Sequence, residues 1–326
     1  LEYLFYSIII CFLSLIIDGY IQFFLGKNLF GIEINSNNRV SSFFGSELIL
    51  GSYISRFFPI LFGLFVFIDQ ASEIKNKTLL ILMTITFVLS EGLLALSGER
   101  VALFFMNLSA VFIILMINDY KKYRFWTYVA SLLLIIALLF LFPQTKNRLI
   151  NQTINDFTIN PTNANDKKKD GKIYIFTKAH NDMYITGLKI FNENKFFGVG
   201  PRQYRNNCQE FSVSNLSCQS HPHNTYIELL SEAGIFAFLI VFVTFILIIY
   251  YSFVHFFKNI FKRKDYFFND FEICIISAIL ISLWPFIPTG SFFNNWMSIM
   301  YYFPVGMLLW QRSKNQKLLK KTKKVE

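Results

Sequence analysis

Two of the four histidines of the chain stand two positions apart in the run Ser220-His221-Pro222-His223-Asn224-Thr225-Tyr226-Ile227-Glu228. Thr225 and Glu228 have the Thr-x-x-Glu spacing of a capping box, so a helix is expected to begin there. His223 then lies beside a helix N-terminus, whose partial positive charge keeps an imidazole neutral and attracts phosphate. A neutral imidazole that titrates near ambient pH suits general-base work. Asn224, Glu228 and Glu232 share one helix face at i, i+4 spacing. The two acids fall at or inside the edge of an apolar segment, where ionisable groups are costly and count as functional candidates. Organising the helix start is their alternative role. His221 and His223 have no third partner at metal-ligand spacing, so no metal is expected.

Arginines supply the second kind of chemistry. Arg100 ends the turn Ser97-Gly98-Glu99-Arg100, Arg39 stands in Asn38-Arg39-Val40-Ser41, and Arg202 and Arg205 flank Gln203-Tyr204. Arg56 falls inside an apolar block. Guanidinium groups are always charged and pair bidentately with phosphate. Several of them together with a helix-capping histidine suit a diphosphate-bearing substrate; anchoring at a membrane surface is the alternative for each alone. There is no GxxxxGK loop, no GxGxxG opening a helix, no Asp-x-Asp pair and no CxxC knuckle, which disfavours a soluble nucleotide donor.

These residues need positioning by something other than a soluble core. The sequence is 54% hydrophobic, with 40 Phe, only 16% charged residues and a mean hydropathy of +0.43. Apolar blocks of membrane-spanning length recur, each closed by a polar stretch, and they do not alternate as barrel strands do. The expected class is all-α, a polytopic membrane protein with about eight spans. They fall at roughly 3–24, 48–68, 78–97, 101–117, 126–142, 224–254, 271–290 and 294–311. The chain starts with Leu1 rather than Met, and further helices upstream are expected.

Charge sets the orientation. Lys75 and Lys77, then Lys121, Lys122 and Arg124, then Lys258, Lys262, Arg263 and Lys264, then the tail from Arg312 all fall on one side if the spans alternate. By the positive-inside rule that side is the cytoplasm. The net charge of +10 is therefore assigned to topology and to membrane-lipid contacts, with no nucleic-acid partner expected. The expected organisation is 1–142 N-terminal membrane helices, 143–223 an outer loop, 224–311 C-terminal membrane helices and 312–326 a basic cytoplasmic tail.

The outer loop is too long for a plain connection. Asn151 to Lys172 reads as a mobile polar stretch. From Ile173 onward, Met183, Leu188, Ile190 and Phe191 have helical spacing, so short helices are expected, one amphipathic and lying over the membrane face. Cys208 and Cys218 are ten positions apart on the oxidising side and are expected to bridge, with two free thiols as the alternative. Cys11 and Cys274 sit in spans as small apolar residues.

With these motifs in hand, a family resemblance is visible. His223-Asn224, nine residues, then Gly234 resembles the His-Asn-x9-Gly signature of the bacterial O-antigen ligases and the related O-antigen polymerases. Ser97-Gly98-Glu99-Arg100 is similar to their Ser-Gly-Ser-Arg turn, and Asn194-Lys195-Phe196-Phe197-Gly198-Val199-Gly200 to the loop motif before the histidine. Gln22 through Gly31 and Arg39-Val40-Ser41-Ser42-Phe43 resemble an earlier outer loop. The likeness covers roughly residues 15 to 240, with the motifs in the family's order. Glu99 stands where a small hydroxyl residue is usual, Ala237 where ligases often carry Gly, Thr or Tyr, and an early outer-loop arginine is replaced around Lys178 to His180.

The resemblance implies an inner-membrane enzyme with its active site facing the periplasm. It would move a glycan from undecaprenyl diphosphate to an acceptor hydroxyl, on a lipid A core or on another lipid-linked glycan, without metal or nucleotide. Carried onto this chain, His223 would be the base and Arg100, with Arg39, Arg202 or Arg205, would hold the diphosphate. His221, Asn224, Glu228 and Glu232 would support them. A transporter of a lipid-linked glycan or anionic solute is the alternative in another class, although broken midplane helices and repeated halves are not evident.

Overall fold

The computed structural model describes residues 1–35, 39–72, 76–157, 176–261 and 267–322. Among them every named element is helical, and extended pairing is limited to one isolated bridge between Lys27 and Glu33. The first helices are α1 (Glu2–Leu25), α2 (Leu50–Ala71), α3 (Lys77–Ser97), α4 (Arg100–Met116), α5 (Lys121–Leu141) and α6 (Pro143–Lys146). Then come α7 (Gln152–Phe157), α8 (Lys178–Glu193), α9 (Tyr204–Phe211) and α10 (Thr225–Glu228). A π turn at Leu229–Ala233 joins α10 to α11 (Gly234–Ile260), followed by α12 (Asp270–Ser282) and α13 (Asn295–Thr322).

Five helices are long and apolar enough to cross a membrane among the described residues: α1, α2, α3, α5 and the run Thr225–Ile260. The other three expected spans are helical but fall short of that standard. Apolar α4 has 17 residues and α12 has 13, while the 28 residues of α13 include a polar, basic second half. The seventh block was expected to stay helical to 290 but stops at Ser282. Pro285 and Pro288 explain this, since proline lacks an N–H and drives its predecessor out of helical geometry. Residues 283–294 are irregular instead, and they matter to the site below. Residues 312–322, expected as a tail, continue α13. Arg312 there pairs with Glu272 at 2.9 Å and donates to the Phe267 carbonyl at 2.9 Å.

The chain divides into two compact units. One contains Leu1–Leu149, Tyr250–Ser282 and Tyr302–Glu326. Its buried side chains are mostly apolar, and several of the polar exceptions pair across helices. Ser109 and Ser277 share a hydrogen bond of 2.9 Å between α4 and α12. Arg124 covers the end of α4, donating to the carbonyls of Ile113, Ile117 and Asp119.

The other unit contains Ile150–Ile249 and Leu283–Tyr301. Thr177 caps α8 by accepting from the His180 N–H. Met183 and Ile190 are buried on α8, whereas Leu188 is exposed. Ile190 packs with Tyr204 and Cys208 of α9. The Tyr204 hydroxyl donates to the Met183 and Ser217 carbonyls, and Cys208 is bonded to Cys218 across a Cα separation of 5.4 Å. Of the stretch expected to be mobile, Gln152–Phe157 is helical and 158–172 lies outside the described residues.

Candidate active site

The helix start after the histidines is capped by Asn224, not by Thr225. Its side-chain oxygen accepts from the N–H groups of Tyr226 and Ile227 at 3.0 and 3.1 Å, and its amide donates to the Pro285 carbonyl at 2.9 Å. The Thr225 hydroxyl turns elsewhere, to Thr289 at 3.0 Å and the Tyr301 hydroxyl at 3.2 Å. One asparagine satisfies two orphan donors, so the expected Thr225–Glu228 capping box has nothing left to do. Glu228 instead accepts from the Ser291 hydroxyl at 2.5 Å and the Phe292 N–H at 2.7 Å. It ties the irregular 283–294 segment to the helix.

Glu232 does the same for the preceding loop. Its carboxylate accepts from the N–H groups of Arg202 and Tyr204 at 2.5 and 2.9 Å. The π turn makes room for this exchange, because Gly234 at φ +76 breaks the helical ladder. The Ser231 and Glu232 carbonyls accept from Val199 and Gly200, at 3.0 and 2.8 Å, and the Ile235 N–H donates to the Lys195 carbonyl at 2.9 Å. Gly198 (φ +65) and Gly234 meet across this junction. A Cβ on Gly234 would overlap the Phe196 carbonyl, and one on Gly198 would overlap the Glu232 peptide. The π turn also interrupts the expected i, i+4 face after Glu228.

Between these clamps sits His223, at φ +53, a region few residues other than glycine adopt. The Thr289 N–H donates to its carbonyl at 2.9 Å. The His221 ring lies 4.1 Å away between centroids, sharing hydrogen bonds with the Ser220 hydroxyl at 2.9 Å and the Thr289 carbonyl at 3.4 Å. His180, in the first turn of α8, completes the cluster. Its ring meets His223 edge-on at 5.7 Å, and its Nδ1 shares a 2.8 Å hydrogen bond with the Thr177 hydroxyl. Burial lowers the pKa of His221 to about 4, helped by the charges of His223 and Arg205 and opposed by the Thr289 carbonyl. Burial also lowers that of His223, against the same carbonyl. Both rings are neutral at pH 7. Among the described residues no three His, Cys, Asp or Glu side chains are arranged to hold a metal ion.

The two arginines of this unit differ. Arg202 donates to the Phe293 carbonyl from Nε and Nη2, at 3.1 and 2.7 Å, and reaches Asn295 at 3.4 Å. It is a fastener of the same 283–294 segment. Arg205 is exposed, and its guanidinium makes no hydrogen bond or ion pair among the described residues, while its charge is felt by His221 and Glu232.

Arg39 and Arg100 belong to the other unit, at the Ser97–Arg100 turn. Glu99 accepts from the Gly51 N–H at 2.9 Å, at the start of α2, and faces Arg39 at 3.8 Å. Among the described residues, buried Arg39 Nε has no hydrogen-bond partner. Arg148 joins them, its Nε donating to the Gly98 carbonyl at 3.0 Å. Burial lowers the Arg148 pKa, and so do the charges of Arg39 and Arg100, with Glu99 opposing. The charges of Arg39 and Arg56 act on the Glu99 carboxylate, and Arg148 feels those of Arg39, Arg100 and Glu99. Arg56 is buried instead, 4.9 Å from the ring centre of Phe105. His180 and Arg148 are the residues that sequence reasoning did not single out. Each is joined to its cluster by tertiary structure, not by sequence spacing.

Membrane-length helices, an all-helical body and a polar cluster at the start of a span define a multi-pass membrane protein. Residues 85–242, just under half of the chain, match the family model described as O-Antigen ligase. The matched stretch contains Arg100, Arg148, His180, Arg202, Arg205, His221 and His223, but not Arg39. No curated protein matches the chain.

Proposed function

We propose that this protein is a metal-independent glycosyltransferase of the bacterial inner membrane, acting at the periplasmic face as an O-antigen ligase does. Its donor is a glycan on undecaprenyl diphosphate. Its acceptor is a hydroxyl on a lipid A core or, for a polymerase of the same family, on a second lipid-linked glycan. The observation that carries the reading is His223: neutral, half-buried, held in left-handed backbone, and inside the stretch that matches the family.

In this reading His223 accepts the proton of the acceptor hydroxyl as that oxygen attacks the anomeric carbon. The bond from the anomeric carbon to the diphosphate oxygen breaks, and configuration inverts. Charge developing on the leaving diphosphate needs fixed cations. Arg205 is the candidate within the histidine unit; Arg39, Arg100 and Arg148 are the candidates in the other. His221 and Asn224 hold the base and its helix start, while Glu228, Glu232 and Arg202 fasten the flanking segments. Residues 143–223 face the periplasm and the basic C-terminus faces the cytoplasm, in accord with the charge bias of the short loops.

The test is glycan profiling of a deletion strain complemented with wild type, His223→Ala or Arg100→Ala. Long glycan missing from lipid A core while polymer accumulates on the lipid carrier identifies a ligase. Single repeats on the core identify a polymerase. Unchanged glycans in every strain contradict the proposal and return attention to transport.

A further inference from the structure

Two adjacent phenylalanines stand in the loop Asn194-Lys195-Phe196-Phe197-Gly198, where an aqueous setting would give them nothing to bury against. Phe196 is 64% exposed and Phe197 79% exposed. Neither is isolated. Phe196 stacks on Phe236 with centroids 6.2 Å apart, and Phe197 tilts against the same ring at 6.1 Å. Phe236 heads a stripe along α11 in which Leu239, Ile240, Val243, Ile246 and Leu247 are all exposed. That 3–4 residue spacing marks one helix face, and an exposed apolar face on a membrane-length helix is a lipid face. The loop pair extends this face beyond the helix itself.

Length puts the extension at the edge of the bilayer. Thr225–Ile260 has 36 residues, about 54 Å at about 1.5 Å per residue, against a hydrocarbon core of about 30 Å. Lys258 lies in the last turn of α11 and marks one interface. About 20 residues back from it, the other edge of the core falls near Leu239. Phe236, and with it Phe196 and Phe197, stands just outside that edge, where aromatic rings are favoured. Exposed Lys195 adds a cation at headgroup level.

The pair is also held rigidly. The loop exchanges backbone hydrogen bonds with the start of α11, through Lys195 and Ile235, and with the π turn, through Val199 and Ser231. We propose that Phe196 and Phe197 insert among membrane lipids at the N-terminal end of α11. They form an anchor whose depth is transmitted through the Gly198–Gly234 junction to the helix start that carries His223. The partner is the lipid at the border between headgroup and acyl chain. The inference is independent of the reaction proposed above.

Cysteine at position 197 tests it, in a full chain whose unpaired thiols are removed as Cys11→Ser and Cys274→Ser. Cys208 and Cys218 remain bonded. A nitroxide is attached to Phe197→Cys, and separately to Phe196→Cys and Ile240→Cys, and the proteins are placed in phosphatidylethanolamine/phosphatidylglycerol vesicles. Insertion raises collisions with oxygen and lowers those with a water-soluble nickel chelate, shifting both loop sites toward the Ile240 reference. A loop label as open to nickel as free nitroxide in water overturns the proposal. So does shielding from both reagents, which would mean that protein covers the patch. A thermal melt like that of the parent chain shows that each variant has folded, and either loop site suffices should the other variant fail.

Discussion

Around His223 the polar side chains are engaged with one another and with backbone, whereas around Arg100 positive charge outnumbers its counter-charge. Asn224, Glu228, Glu232 and Arg202 each fasten a named loop, so the histidine cluster rests on a scaffold whose hydrogen bonds are internal. At the Ser97–Arg100 turn, Glu99 faces Arg39, Arg148 feels the charges of Arg39, Arg100 and Glu99, and Arg39 Nε is buried without an acceptor among the described residues. A scaffold is recognised by satisfied groups. A site awaiting an anion is recognised by an excess of donors, because a buried donor left unpaired costs free energy. The difference teaches that acidity near a catalytic candidate need not be catalytic: Glu228 and Glu232 both accept hydrogen bonds from neighbouring loops.

The comparison can be broken at several points. Short of removing His223 itself, the largest expected effect is on transfer by Arg100→Ala and Arg148→Ala, each lowering turnover by about 100- to 1,000-fold if it stabilises the leaving diphosphate. Radiolabelled donor consumption in vesicles reads this directly. Arg148→Lys should recover only part, because a point charge replaces a planar fork. Wild-type turnover in all three would remove the cluster from the account. Gly234→Ala should come next, felt in folding rather than chemistry. Strain at φ +76 and overlap with the Phe196 carbonyl destabilise by more than about 1 kcal/mol, visible as a lowered Tm. An unchanged Tm would mean the junction is not rigid.

Asn224→Ala should cost about 1 kcal/mol, the ordinary worth of an N-cap, and more than Thr225→Ala. The reverse order would restore the capping box. Titration gives the smallest effect, with a clear sign. His221 has its pKa lowered from 6.5 to about 4, so between those values the unfolded chain holds a proton that the folded chain lacks. Stability therefore falls as pH falls through that window, and His221→Gln should flatten the slope in a thermal melt. Catalysis by neutral His223 should persist below the ordinary histidine range for the same reason.

How much of this could be read beforehand depended on how local each feature is. Apolar blocks gave α1 and α3 nearly to the residue, because a membrane-length run of Leu, Ile and Phe has few other solutions. The seventh block overran into Pro285 and Pro288, whose effect on backbone outweighs the hydropathy of Trp284, Phe286 and Ile287. The π turn was invisible, since Leu229-Leu230-Ser231-Glu232-Ala233 has ordinary helical composition and only its partner loop reveals it. His223 was legible from its neighbours. His180 and Arg148 were not, because their proximity to His223 and to Arg100 respectively is made by helix packing and leaves no spacing to read.

The central claim is that His223 is the base. Purified protein in vesicles, given undecaprenyl-diphosphate-linked glycan and an acceptor, should transfer about 100- to 10,000-fold more slowly as His223→Ala, with the Cys208–Cys218 bridge and donor binding retained. Transfer by that variant at the wild-type rate, across the pH range, would contradict it.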